Sequence, residues 1–276
     1  MLVVAALRWV DQRAPVDALT GEVHPDARVS GPSAADRAAL EHALRLKETL
    51  GGRCLAVTVG PAEADEMLRE ALALGADEVL RVAGPDPAET VTEDGSETAR
   101  LLLAALPERP DIVVCGDHSA DRGTGSTPAF LAHRLGACQA LGLIELGVVE
   151  GKLRALRRLD GGRRERLTFG TPAVCSVEPA DTVPRRASLP ATLAARAAEI
   201  PVAHGEELHV KAGVVRPYRP RPRALPSPEG AEPHQRVLAL TGALVERTPP
   251  KVLRPGSPAE AAQALLDYLR EHGYAE

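Results

Sequence analysis

Aromatic side chains are nearly missing from this sequence. One tryptophan, three tyrosines and two phenylalanines make up 2% of 276 residues. That excludes the base-stacking platforms by which proteins grip single-stranded nucleic acid. An excess of positive charge is missing too: 33 Lys and Arg face 38 Asp and Glu, for a net charge of −5. General nucleic-acid binding is therefore not expected. Cysteine is scarce. Cys54, Cys115, Cys138 and Cys175 include no Cys-x-x-Cys pair, so neither a zinc site nor a dithiol redox pair is expected. Cys54, Cys115 and Cys175 sit in apolar runs and are expected as small core residues. No apolar run reaches the length of a membrane span, so no membrane insertion is expected. The opening Met1–Leu7 is too short for a signal-peptide core with its basic flank. The expected compartment is the cytoplasm.

What is present is an alternation of short apolar runs and helical patterns, with 44% hydrophobic residues available for a core. Strands are predicted at 2–7, 55–59, 78–82 and 111–115. Helices are predicted at 34–50, 62–75 and 97–106, with another starting at Ser126. Strands that are apolar throughout, separated by amphipathic helices, predict an α/β fold. Its core is a doubly wound parallel sheet covered on both faces, with ligands beyond the carboxyl ends of its strands.

The pattern changes after Leu141. Short strands are predicted at 143–149, 153–159, 164–169 and 173–177, with Gly151 and Gly161-Gly162 as turns, an appended β-hairpin region. Its stretch from Lys152 to Arg166 holds seven basic residues against Asp160 and Glu165, either a solvated face or a surface for an acidic protein partner. Farther on, Pro217, Pro220 and Pro222 forbid helix and central strand. Three parts are expected. A nucleotide-binding domain occupies 1–179, including the hairpin region 143–178. An extended arm, ordered in part against a partner, covers 180–234. A C-terminal segment, 235–276, carries an amphipathic helix from Pro258 to His272.

The stretch most informative about chemistry is Gly116-Asp117-His118-Ser119-Ala120-Asp121-Arg122-Gly123-Thr124-Gly125-Ser126-Thr127-Pro128. It follows the fourth predicted strand and opens a helix. Its glycines allow close backbone approach, Ser126 and Thr127 add hydroxyls, and the unpaired N–H groups of a helix start suit a phosphate. An ordinary capped helix start accounts for the same residues. The stretch matches neither a Walker loop nor Gly-x-Gly-x-x-Gly. No Gly-x-Ser-x-Gly elbow accompanies His118, and a lone loop histidine is more often solvated than catalytic.

Four blocks in order resemble the β-subunit family of electron transfer flavoproteins. They are Ala5-Ala6-Leu7-Arg8-Trp9-Val10-Asp11; Glu41–Glu48 with Val57–Pro61 and Leu72–Asp77; Pro110–Gly116 with its loop to Thr127; and Leu159–Gly162 through Glu165 to Pro172-Ala173-Val174, then Pro184–Pro190. The resemblance implies a Rossmann-like fold of the adenine nucleotide α-hydrolase kind. It implies a heterodimer in which an α subunit makes most contacts to a shared FAD, and a β subunit that holds AMP or a second FAD. Carried over, the nucleotide residues are Ala5, Ser33, Ala34, Ala35, Asp36, Val59, Gly116, Asp121, Gly123, Thr124, Gly125, Ser126 and Thr127. Leu189, on a Pro-flanked turn, matches the leucine that anchors in a partner dehydrogenase. The implied role is an electron carrier and not an enzyme, with the C-terminal helix packing on the α subunit. Asp121-Arg122-Gly123 replaces the family's usual acidic run, Gly125-Ser126 an asparagine–glutamine pair, and Ser33-Ala34 an asparagine–proline pair. The Ala-, Arg- and Pro-rich style is similar to divergent members linked to mycofactocin systems. Two other classes share the fold. A nucleotide-cleaving enzyme would need a Ser-Gly-Gly-x-Asp-Ser loop, where residues 30–36 read Ser-Gly-Pro-Ser-Ala-Ala-Asp. A stress-type nucleotide sensor would need neither the arm nor the terminal helix.

Overall fold

A computed structural model describes the chain except for residues 18, 21, 22, 25, 27, 84–94, 122, 181, 205–227, 229, 242–251, 275 and 276. The chain divides into two units, Met1–Tyr218 and Arg219–Glu276.

In the first unit, β1 (Leu2–Ala6) leads through the two-residue strands β2 (Val10–Asp11) and β3 (Ser30–Gly31) to α1 (Ala34–Leu50). Alanine and leucine dominate α1, good helix formers with few rotamers to lose. Ser33 and Asp36 close a capping box at its start. Then come β4 (Arg53–Gly60), α2 (Asp65–Leu74), β5 (Glu78–Ala83), α3 (Gly95–Ala105), β6 (Ile112–Gly116) and α4 (Thr127–Leu135). The antiparallel region follows as β7 (Cys138–Val149), β8 (Lys152–Arg158) and β9 (Arg164–Phe169). The unit ends with β10 (Ala173–Val177), α5 (Leu189–Arg196) and β11 (Val202–His204).

Nine strands form one sheet in the order β11-β5-β4-β1-β6-β10-β7-β8-β9. Every pairing from β11 to β7 is parallel, and β7-β8-β9 is antiparallel. Alternate residues of β1 serve two cores. Val3 and Ala5 pack with Leu44 and Leu46 of α1 and Leu68 of α2. Leu2 and Val4 pack with Leu101 of α3 and Leu131 of α4. Burial on both faces is why such strands read as unbroken apolar runs. Cys54, Cys115 and Cys175 are buried as expected, and burial pushes the Cys54 and Cys175 thiols up to about 12.

Two expectations are corrected. Residues 173–177 are not part of the hairpin region: β10 lies between β6 and β7, parallel to both. All five of its residues are buried, as a strand covered on both faces requires. The arm expected at 180–234 does not begin at 180. Residues 182–204 fold onto their own unit, with α5 against α2 and β11 completing the sheet beside β5. Ala195 and Ile200 supply the buried contacts, a sparse signal beside the Pro-rich window 216–222, which lies outside the described residues. The first unit therefore runs past 179.

The second unit contains α6 (Pro233–Leu240), which the sequence pattern did not suggest, and α7 (Pro258–Glu271), one residue shorter than expected. Ser257 caps α7 by accepting from Glu260 N at 3.2 Å.

Candidate functional site

Chain order and sheet order part at several places, and one of them is at β1. From β1 the chain moves outward to β4 and β5, then returns across the sheet to β6 on the other side of β1. At such a reversal the connections diverge and leave a crevice beyond the carboxyl ends of the two strands. A cleft lies there, with about 80 Å³ of enclosed space behind an open mouth. It is lined by Ala6, Leu7 and Arg8 after β1, Val59 at the end of β4, Cys115 and Gly116 at the end of β6, and Asp36 in the first turn of α1. His118, Ser119, Thr124 and Gly125 close it from the loop before α4, Thr127 and Pro128 from the start of α4, and Gly95, Thr98 and Leu102 from α3.

Asp36 is buried at the cleft's edge. Its carboxylate accepts from Ser33 N at 3.0 Å, Ser33 Oγ at 2.6 Å and Arg8 N at 3.2 Å. Burial pushes its pKa up from the usual carboxylate range, while Ser33 and Arg8 act in the opposite sense. Arg8 extends to Asp121, with Nη2 donating at 2.8 Å and Nε at 3.2 Å. Ser119 Oγ donates to the same carboxylate at 2.6 Å. Partial burial works against the Asp121 charge, but Arg8 and Ser119 prevail and hold its pKa below the ordinary value. The Arg8–Asp121 pair ties the loop after β6 to the exit of β1.

That loop is internally braced. Ser119 N donates to Thr124 O at 2.7 Å and Gly123 N to Ser119 O at 2.8 Å. Gly125 is required by close approach, since a Cβ there would overlap the Asp117 carbonyl oxygen. At Gly116 a Cβ would stand 3.1 Å from Ala35 Cβ and 3.3 Å from Asp36 N, so the start of α1 sits hard against the end of β6. In the first turn of α4, Ala129 N already donates to Ser126 O at 3.0 Å, and Thr127 and Pro128 stand at the same mouth. Ser126 caps α4 without a side-chain hydrogen bond, and Pro128 in that turn has no N–H to lose. Two helix starts, α1 and α4, thus converge on one crevice.

Among the residues named from the sequence, Asp36, Val59, Gly116, Thr124, Gly125 and Thr127 line the cleft. Ser33 and Ala35 stand behind it in the cap of α1, and Gly123 and Asp121 brace its loop. Ser126 caps α4, and Ala34 is exposed at the start of α1. Ala5 does not line the cleft. It is fully buried in the core beneath α1, and the next residue, Ala6, faces the crevice. Alternation along a strand makes that one-residue difference a change of face. Arg8 was missed as a site residue. Its signal was its place directly after the first strand, the position from which side chains reach a switch-point ligand.

Leu189 stands apart, at the first position of α5. Ser188 Oγ accepts from Ala191 N at 3.3 Å to cap the helix. Leu189 is 71% exposed, and Leu193, one turn on, is 54% exposed. The approach to this helix is clipped to α1. Arg45 donates to Val183 O at 3.3 Å, and Arg185 donates from N and Nε to Glu41 Oε2 at 3.0 Å each. Arg185 also pairs with Glu48. Glu41 is buried, which opposes its charge, yet Arg185 and Arg45 hold its pKa below the ordinary value.

Among the described residues no group of His, Cys, Asp and Glu could hold a metal ion. None of the described helices is long and apolar enough to cross a membrane. The cleft is lined mostly by small residues, with Asp36 and Arg8 at its wall.

A family model, Electron transfer flavoprotein domain, matches residues 24–208. The chain is 31% identical over 178 residues to the Electron transfer flavoprotein subunit beta of Dictyostelium discoideum, covering 63% of this chain and 68% of that protein. The subunit of the same name from Bradyrhizobium diazoefficiens is 34% identical over 164 residues, 58% of this chain and 63% of that protein. The Homo sapiens subunit is 34% identical over 174 residues, 62% and 68% of the two chains. The matched span of this chain thus corresponds to about two thirds of the length of these relatives.

Proposed function

The chain belongs to the electron transfer flavoprotein family, on the side of its β subunits, and from that premise we propose that it is an electron carrier subunit. It binds an adenine nucleotide at the β1–β6 crevice and completes an FAD site held chiefly by an α subunit. The observation that carries the nucleotide assignment is the convergence of two helix starts on a glycine-lined switch point.

The residues present fit an adenylate. Thr127, at the start of α4, offers its backbone N–H and its hydroxyl to a phosphate. Gly116 and Gly125 let the start of α1 and the loop before α4 close tightly around the crevice, and Ala6 keeps its floor small. Asp36 presents a carboxylate at the wall. Arg8, held by Asp121, adds a cation without moving. FAD, when bound in the two-subunit protein, supplies the reversible electron chemistry. With aromatics at 2% of the chain, this subunit is not built to enclose an isoalloxazine by itself. Its own work is to bind, to orient and to dock. Leu189 and Leu193, presented on a capped helix clipped to α1, form the anchor for a partner dehydrogenase, rigid before contact and so low in ordering cost. Residues 235–276 pack on the α subunit.

The test is the mass of the small molecules released on denaturation. The chain purified with a co-produced α subunit is expected to release FAD together with AMP, or two FAD in an electron-bifurcating member. The Gly125→Val variant, still folded by circular dichroism, is expected to lose the second nucleotide and keep the shared FAD. Full FAD loading of the chain alone would overturn the division of labour. Leu189→Ala should slow electron transfer from the dehydrogenase at constant nucleotide content, and an unchanged rate would remove Leu189 from docking.

A further inference from the structure

The antiparallel end of the sheet has two unlike faces. On one, Leu153 and Ala155 of β8 are buried with Leu146 of β7, and Leu167 and Phe169 pack against them. On the other, Lys152, Arg154, Leu156 and Arg158 of β8 lie beside Arg164, Arg166 and Thr168 of β9. The register sets Arg158 opposite Arg164, Leu156 opposite Arg166 and Arg154 opposite Thr168. Glu145 of β7, opposite Leu156, brings an acid to the same face.

Arg158 is paired with Glu178. Among the described residues, Lys152, Arg154, Arg164 and Arg166 make no ion pair, with Glu145 or with any other acid. A chain of net charge −5 therefore gathers four unpaired cations on one strip. Arg164 stands opposite Arg158, and Arg154 and Arg166 lie diagonally across the strand pair, so the strip concentrates like charge that no acid on it offsets. A hollow of about 450 Å³ lies on the strip, lined by Glu145, Val149, Arg154, Leu156, Arg164 and Arg166. Leu156 at its centre is half-buried, and Val149 is 45% exposed. An aliphatic centre ringed by arginines has the composition of a protein interface.

We propose that this face docks an acidic surface of another protein chain, which covers Leu156 and Val149 and sets carboxylates against Arg154, Arg164 and Arg166. Nucleic acid is disfavoured. The strip carries no aromatic ring on which a base could stack, Phe169 lying on the opposite face. The inference stands apart from the nucleotide cleft and does not depend on it. β9 is also the outer edge of the sheet, and charged residues on an edge strand can serve only to block pairing between copies. The experiment has to separate those roles.

Fluorescent poly-L-glutamate, a DNA duplex and phosphatidylserine vesicles would each be titrated against the full chain at low and at moderate salt. The face variant is Arg154→Gln/Arg164→Gln/Arg166→Gln. The control, Arg28→Gln/Arg196→Gln/Arg236→Gln, removes the same charge elsewhere. Poly-L-glutamate is expected to bind the unaltered chain, to weaken as salt rises, and to bind the face variant about tenfold or more weakly with the control unchanged. Equal loss in both variants would reduce the effect to net charge and overturn the proposal. So would tighter binding of DNA or vesicles than of poly-L-glutamate. Absence of poly-L-glutamate binding would overturn it as well, and self-association of the face variant would then mark the arginines as an edge guard.

Discussion

The parallel and antiparallel ends of this sheet obey opposite rules of coverage. Helices lie on both faces of β1, β4 and β6, so their residues are apolar in unbroken runs. Only one face of β8 and β9 is covered, so their burial alternates residue by residue. The parallel end makes a site by topology, because reversal of the connections leaves a crevice that any sequence of this order would have. The antiparallel end makes none that way. What it offers is a surface, and its use depends wholly on which side chains occupy the open face.

The sharpest way to break this comparison is to remove one leucine from each end. Leu44 on α1 is fully buried in the parallel core. Leu44→Ala is expected to destabilise the protein by about 2–5 kcal/mol, transfer and cavity costs together. Leu156→Ala on the open face should cost below about 1 kcal/mol, as for a partly exposed side chain. Urea denaturation measures both. A Leu156→Ala cost as large as that of Leu44→Ala would mean that the open face is covered within this chain.

Ion pairs sharpen the same contrast at smaller scale. Arg185 grips Glu41, whose side chain is only 5% exposed, and holds the segment before α5 against α1. Arg185→Gln leaves that carboxylate with Arg45 alone and is expected to cost about 1–3 kcal/mol, with faster proteolysis near residues 182–188. Arg157 and Glu165 pair across β8 and β9 with both side chains about a third exposed or more. Arg157→Gln should cost about 0.2–1 kcal/mol. Equal costs would show that the clip on α1 is ornamental.

The two ends also differed in how far the sequence disclosed them. The helix at 34–50 was legible to the residue, because Ser33 and Asp36 announce its start and leucines recur at its buried positions. The loop from Gly116 to Thr127 was legible as a wall of the cleft because it joins a strand to a helix with glycines in between. The placement of β10 was not, since five apolar residues report burial without naming their neighbours. Nor was the fold of 182–204, where the clip depends on Glu41 meeting Arg185, 144 positions away. Such a pairing leaves no local pattern. That Ala6 and not Ala5 lines the cleft was hidden for a related reason: the sequence shows which strand ends at the crevice, but the face is decided by the register of the sheet.

The smallest effect is a pH dependence that belongs to the parallel end alone. His42 is buried on α1, with Nε2 3.0 Å from Thr182 Oγ1. Burial, helped by the nearby Arg45 charge, holds its pKa below the ordinary 6.5. The folded chain thus keeps His42 neutral where the unfolded chain takes up a proton. Stability from this residue is complete above about pH 6.5 and is lost as pH falls from there toward the folded value. The depressed carboxylates Glu41 and Asp121 act in a lower window. They stabilise above their unfolded values near 4, and that stability is lost as pH falls through their folded ones. The hairpin stretch 143–169 contains no histidine and adds nothing between pH 5 and 6.5. The denaturation free energy of the unaltered chain should therefore fall more steeply over that interval than that of His42→Gln. The difference is at most about 1.4 kcal/mol per pH unit. Identical slopes would show that the ring is protonated within the fold, and that α1 tolerates a charge beneath the segment leading to Leu189.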